Sequence, residues 1–228
     1  MSSPIRLLLI ATCVAAFCPA ISYGQEPAPP DQPDKRIFGI IPNYRTAPTL
    51  KDYQPLTPQE KFKVAAADSF DRGTFLLAAA FAASAQLTNS TPSFGHGPTA
   101  YARYYAAATA DLMIGDFMTE AIFPTALRQD PRYFRLGTGS GWTRLRYAAG
   151  QIVLTHTDSG KTQFNFSEIV GNTTAVAISN AYYPDNRNVS NNLLKLGVQI
   201  GVDMAGNILK EFSPDLERLL SRDHATKP

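Results

Sequence analysis

Cysteine is nearly missing from this chain of 228 residues: Cys13 and Cys18 are the only two, and both lie within the first 24 positions. If that segment is removed on export, the mature chain has no disulfide, no thiolate nucleophile and no Cys-ligated metal. Histidine is scarce as well. His96, His156 and His224 form neither a His-Glu-x-x-His nor a Glu-x-x-His pattern, so no metal and no cofactor is expected. There is no Gly-x-Ser-x-Gly elbow to hold a nucleophilic serine. Gly137-Thr138-Gly139-Ser140-Gly141 lacks the Lys-Ser/Thr of a phosphate loop and reads as a connector. A charge excess is also lacking: 21 Lys plus Arg against 19 Asp plus Glu leave +2, which excludes a polyanion binder such as a nucleic-acid protein.

What is present begins with an export signature. Arg6 precedes an apolar stretch from Leu7 to Phe17, and Ser22 and Gly24 supply small residues at a cleavage spacing. The run is roughly half the ~20 residues that span a bilayer, so a cleaved signal at 1–24 is expected instead of an anchor. Neither cysteine follows a small residue, which argues against lipidation. Cleavage after Gly24 leaves 204 residues and, with Arg6 lost, a net charge of +1. The chain is therefore expected in the periplasm or attached to the outer membrane of a bacterial envelope.

Behind the signal, prolines at 27, 29, 30, 33, 42, 48, 55 and 58 predict an extended arm over 25–56, because proline fixes φ and removes a backbone donor. Its apolar piece Ile37–Tyr44 should lie on the folded body. Thr57-Pro58-Gln59-Glu60 forms a capping box that starts a helix running to about Phe70. Further helices are expected over 73–87, from Pro98 until Pro124 ends or kinks it, and over 142–155, 168–182, 191–212 and 214–222. Thr162–Phe166 alternates polar with aromatic and reads as one short strand or an extended loop, a lone strand having no sheet to join. The predicted fold is all-α: a compact bundle of about six helices over 57–222, with a tail at 223–228. Gly197, Gly201 and Ala205 recur four apart and point to a tight helix crossing.

The polar residues have one regional bias. Between Lys63 and Lys161 there is no lysine, yet seven arginines face seven acids. Arginine is less hydrated than lysine and offers a planar fork, so this choice suits partly buried pairs or an anion site. Asp116 and Glu120 share one helix face, while Asp111 lies roughly 140° away at 100° per residue. The following segment, Gln129–Arg135, is placed to supply cations. Asp116, Glu120 and Asp130 are the candidate acid and base groups, and Arg128, Arg132 and Arg135 the candidate anion holders. The alternative is that the same residues form a buried ion-pair network with no chemistry. Tyr101, Tyr104, Tyr105, Tyr182 and Tyr183 read as core rings with hydroxyls at a wet edge, or as an interfacial girdle.

The runs Gln129–Arg135, Thr157–Lys161 and Phe164–Glu168, with Ser179-Asn180, Tyr182-Tyr183-Pro184 and Lys210-Glu211-Phe212, resemble a family of uncharacterised secreted proteins of Acidobacteria-type bacteria. The resemblance covers most of the chain after about residue 40 and implies bacterial export and a single domain. The family has no assigned activity, so it implies no catalytic residues. Taken together, the residues point to a non-catalytic helical cell-envelope protein with an envelope-protein or membrane partner. The alternatives are a hydrolase or transferase using the Asp/Glu/Arg cluster, and a helical lipid-binding module.

Overall fold

The computed structural model describes residues 35–47, 50 and 53–225, with side chains as far as residue 220. The expected signal at 1–24, the first part of the arm and the end of the tail lie outside these residues. The body is mostly helical, with three small sheets added to what the sequence predicts.

Residues 35–47 carry β1 (Arg36–Ile37) antiparallel to β2 (Ile41–Pro42), then β3 (Thr46–Ala47), which pairs in parallel with β5 (Tyr133–Phe134). Ile37 and Ala47 are buried, so this part of the arm is packed on the body. The first helix, α1 (Pro58–Ser69), opens on the capping box predicted from Thr57 and Glu60: each bonds the backbone N–H of the other. Asp71 then caps α2 (Arg72–Leu87), accepting from Gly73 N at 2.7 Å. Glycine is required at 73 by space, since a Cβ there would stand 1.9 Å from the Ile40 carbonyl oxygen.

The third helix, α3 (Pro98–Asp116), packs along α2 through buried alanines, among them Ala78, Ala82, Ala100 and Ala107. Of the two outcomes expected at Pro124, an end or a kink, the helix does not end there. A proline clashes with the carbonyl four residues back and cannot bond to it. Here the chain widens into a π-helical turn over Phe117–Ile122 and continues as α4 (Phe123–Leu127), with Pro124 in its first turn. Arg128 closes α4 in the left-handed region at φ 54°.

Helix α5 (Gly141–Gly150) is shorter than predicted. The residues assigned to its end form β6 (Leu154–Thr157), which lies between β4 (Gln129–Asp130) and β7 (Thr162–Phe164) in an antiparallel sheet. His156 is thus on a strand, and the expected lone strand has partners. Helix α6 (Phe166–Ser179) packs on the π turn at Gly171, where a Cβ would meet Thr119 Cγ2 at 2.9 Å. The last helix, α7 (Val189–Ala225), runs unbroken through Pro214, although two helices were predicted. Pro214 cannot donate to the Lys210 carbonyl, and the neighbouring Ser213 hydroxyl does so instead at 3.3 Å. Gly197, Gly201 and Ala205 face outward, with no neighbour within 4 Å of a Cβ on either glycine, so the close crossing expected there is not formed.

Candidate functional site

Five elements deliver charged side chains to one buried region. Arg45, between β2 and β3, reaches Glu120 Oε1 at 3.3 Å and Asp203 Oδ1 at 3.8 Å. Around it stand Asp68 of α1, Asp116 at the end of α3, Glu168 of α6 and Lys210 of α7. Two cations therefore meet five carboxyls, and full ionisation would leave three negative charges without compensation. The π turn contributes to this by carrying Glu120 inward: the residue is 2% exposed and its Oε2 has no hydrogen-bond partner.

The region answers by holding protons. Burial pushes Asp116 up to about 8, helped by the charge of Asp68 and opposed by Arg45 and the Ser69 hydroxyl, which donates to Asp116 Oδ2 at 3.1 Å. Burial likewise drives Glu120 well above the carboxylate range, with Asp68 adding to the effect. Glu168 is raised by burial and then by Asp203, while Asn172 bridges the two, donating to Glu168 Oε1 at 2.9 Å and Asp203 Oδ2 at 3.1 Å. Burial and the nearby Arg45 charge lower Lys210 to about 8. For Arg45 burial acts downward, but Glu120, Asp203 and Glu168 outweigh it and raise the guanidinium.

Asp130 does not join Asp116 and Glu120. It takes a fork from Arg132, Nε to Oδ1 at 3.0 Å and a terminal nitrogen to Oδ2 at 2.6 Å, together with the Tyr53 hydroxyl at 2.8 Å. The Arg132 guanidinium lies over both the Tyr53 and Phe134 rings, 5.6 and 5.2 Å from their centroids. Arg128 is an exposed helix cap, and the buried Arg135 Nε has no partner. The expectation that Gln129–Arg135 supplies cations to Asp116 and Glu120 is therefore corrected: the cation is Arg45. The segment instead turns its own arginine back on its own aspartate, two residues away, whose carboxylate also accepts from the Arg132 backbone N–H at 2.9 Å.

Two further carboxyls are closed in the same manner. Glu211 is fully buried and accepts from Tyr133 Oη at 2.7 Å, Leu136 N at 3.0 Å, Gly137 N at 2.8 Å and Arg144 Nε at 2.8 Å. These bonds hold it below the usual range against the upward pull of burial. The backbone amides at the start of the glycine-rich connector thus bind a carboxylate of the chain itself. Asp111 accepts from Tyr182 at 2.6 Å and Tyr183 at 2.7 Å, which gives the tyrosine pair its place.

A cavity of about 30 Å³ lies between the Arg45 region and Asp130, lined in part by Glu168, Arg132, Asn165 and Asn207. It has room for about one or two waters. Asp116, raised to about 8, and Glu120, raised by burial, have the chemistry of general acids, but neither lines this cavity, which in any case admits no substrate. Among the described residues, no three His, Cys, Asp or Glu side chains are placed to hold a metal ion. Sequence reasoning missed Arg45, Lys210 and Glu211. The last two sit in the Lys210-Glu211-Phe212 run noted above; Arg45, in an arm read as a tether, carried no signal. No family model, curated protein or solved structure matches the chain.

Proposed function

We infer that the protein is an exported, non-catalytic helical protein of a bacterial cell envelope, with a proline-rich arm, attached peripherally to a membrane or a partner protein through apolar faces of its body. The observation that carries this is the number of large apolar side chains left exposed while several charged and amide side chains are buried. Lys61, Gln129 and Glu211 are among the largest fully buried side chains, whereas Leu87, Val189, Trp142 and Phe70 are 86%, 75%, 66% and 62% exposed. Apolar area left in water forfeits about 25 cal/mol per Å², so so much of it on a folded body favours an apolar neighbour. No helix of the described residues is long and apolar enough to cross a membrane, which is why the attachment is proposed as peripheral. The resemblance to secreted Acidobacteria-type proteins agrees with export.

The enzyme alternative has the raised Asp116 and Glu120 in its favour, but each candidate carboxyl is already held by the chain. Fractionation of cells producing the full chain tests the proposal. A membrane pool released by detergent or carbonate is expected; a wholly soluble monomer would overturn it.

A further inference from the structure

We propose that the cavity between Arg45 and Asn207 is a binding site for one small planar oxyanion, a carboxylate the size of formate. Its walls carry donors that the chain leaves underused. Arg36, Arg132 and Arg144 reach their carboxylate partners at 2.6 to 2.8 Å, whereas Arg45 stands 3.3 Å from Glu120 and 3.8 Å from Asp203. The Arg45 side chain is nevertheless only 12% exposed, and it lines the cavity. Asn207 lines it too, one turn beyond Asp203 on α7. It is 7% exposed, and its amide has no hydrogen-bond partner among the described residues. Buried amides are almost always bonded, so an open one facing a cavity marks a place for an acceptor.

The chemistry of the walls selects the occupant. A guanidinium only donates, and a water set against it must turn both its own hydrogens elsewhere; a planar oxyanion presents acceptors alone and matches the fork. Asn165, Ser167 and Glu168, the cap and first turn of α6, also line the cavity, so the positive end of that 14-residue helix faces it. The amides of Ser167 and Glu168 already bond Gln129 and Asn165, and the helix therefore adds field without adding donors. The neighbouring acids do not cancel this. Asp130 is filled by Arg132 and the Tyr53 hydroxyl, Asp203 accepts from Asn172, and Lys210 stands against Asp68. Burial moves Glu120 and Glu168 toward their uncharged forms. Size completes the selection: about 30 Å³ is the space of about two waters, which suits a one-carbon carboxylate and not one longer by a methyl group.

Carbon-13 formate and acetate, each titrated against the purified full chain at constant ionic strength in sodium chloride, test this by NMR line broadening. Formate is expected to broaden, and acetate to stay sharp. Asn207→Leu keeps the size of the side chain and removes the amide; it should weaken formate binding at least about tenfold, the loss of one hydrogen bond to a charged group. Thermal melts check that the variant folds. Formate that stays sharp with the unaltered chain overturns the site, as does acetate that broadens equally, which would mark surface binding. Unchanged formate binding by a folded N207L overturns it as well. The comparison of formate with acetate uses the unaltered chain, so it decides the question even if the variant misfolds. None of these outcomes bears on how the protein is attached, which fractionation decides separately.

Discussion

Asp116 and Glu120 stand one turn apart in sequence, and the structure turns both toward Arg45. An aspartate that keeps its proton to about pH 8 when folded but loses it near its ordinary value when unfolded makes folding less favourable as pH rises. Between those values the unfolded chain binds fewer protons than the folded one, so the slope of stability against pH is negative. The cost is absent in acid and complete above pH 8. Asp116→Asn mimics the protonated carboxyl at every pH. Its stability relative to the wild type should therefore climb by about 1 kcal/mol per pH unit from pH 5 to pH 8 and then level off. Urea melts of both proteins across that range check this; a difference independent of pH would show that Asp116 is ionised in the folded chain. His156 titrates in both proteins alike, so it cancels in the comparison.

Helices and strands show how far local sequence reaches. The capping box at Thr57 and the start of α3 at Pro98 are legible because caps depend on neighbours in the chain. Pro124 leaves its outcome open and Pro214 misleads because their cost was met locally in ways that residue order does not announce: a widened turn at one, a serine hydroxyl at the other. Of the β4-β6-β7 sheet only the alternation at β7 was legible; β4, β6 and the pairing were not, since the strands are two to four residues long and gain their bonds from one another. Glycine spacing gave the opposite of what packing uses. Gly73 and Gly171 are pressed against Ile40 and the π turn, while Gly197 and Gly201 face outward. Gly73→Ala and Gly171→Ala should each cost on the order of 1–3 kcal/mol through overpacking, the first the more. Gly197→Ala should be neutral or stabilise by up to about 1 kcal/mol through helix propensity. Thermal melts of the three variants check the ranking.

At the scale of the whole molecule, the buried space holds many alanines and charged groups beside a few larger side chains such as Ile37, Tyr104 and Phe134, and many larger apolar side chains remain outside. A body of this kind, isolated from whatever covers it, should associate with itself. Light scattering of the purified chain is expected to show oligomers that a mild non-ionic detergent disperses; a monodisperse monomer without detergent would argue that the apolar faces need no cover.

Residue order alone determined the mostly helical body, the lack of any residue spacing for metal or serine chemistry, and the regional choice of arginine. These follow from period, caps and side-chain inventory, which are properties of near neighbours. Tertiary structure decided the pairing. The lysine-free stretch pointed to Arg132 and Arg135 as partners for Asp116 and Glu120, yet the cations beside that pair are Arg45 and Lys210, both from outside it, while its own Arg132 and Arg144 close Asp130 and Glu211. A buried charge takes whichever opposite charge the fold brings within about 4 Å, and that distance is set by helix packing across the body, not by separation along the chain.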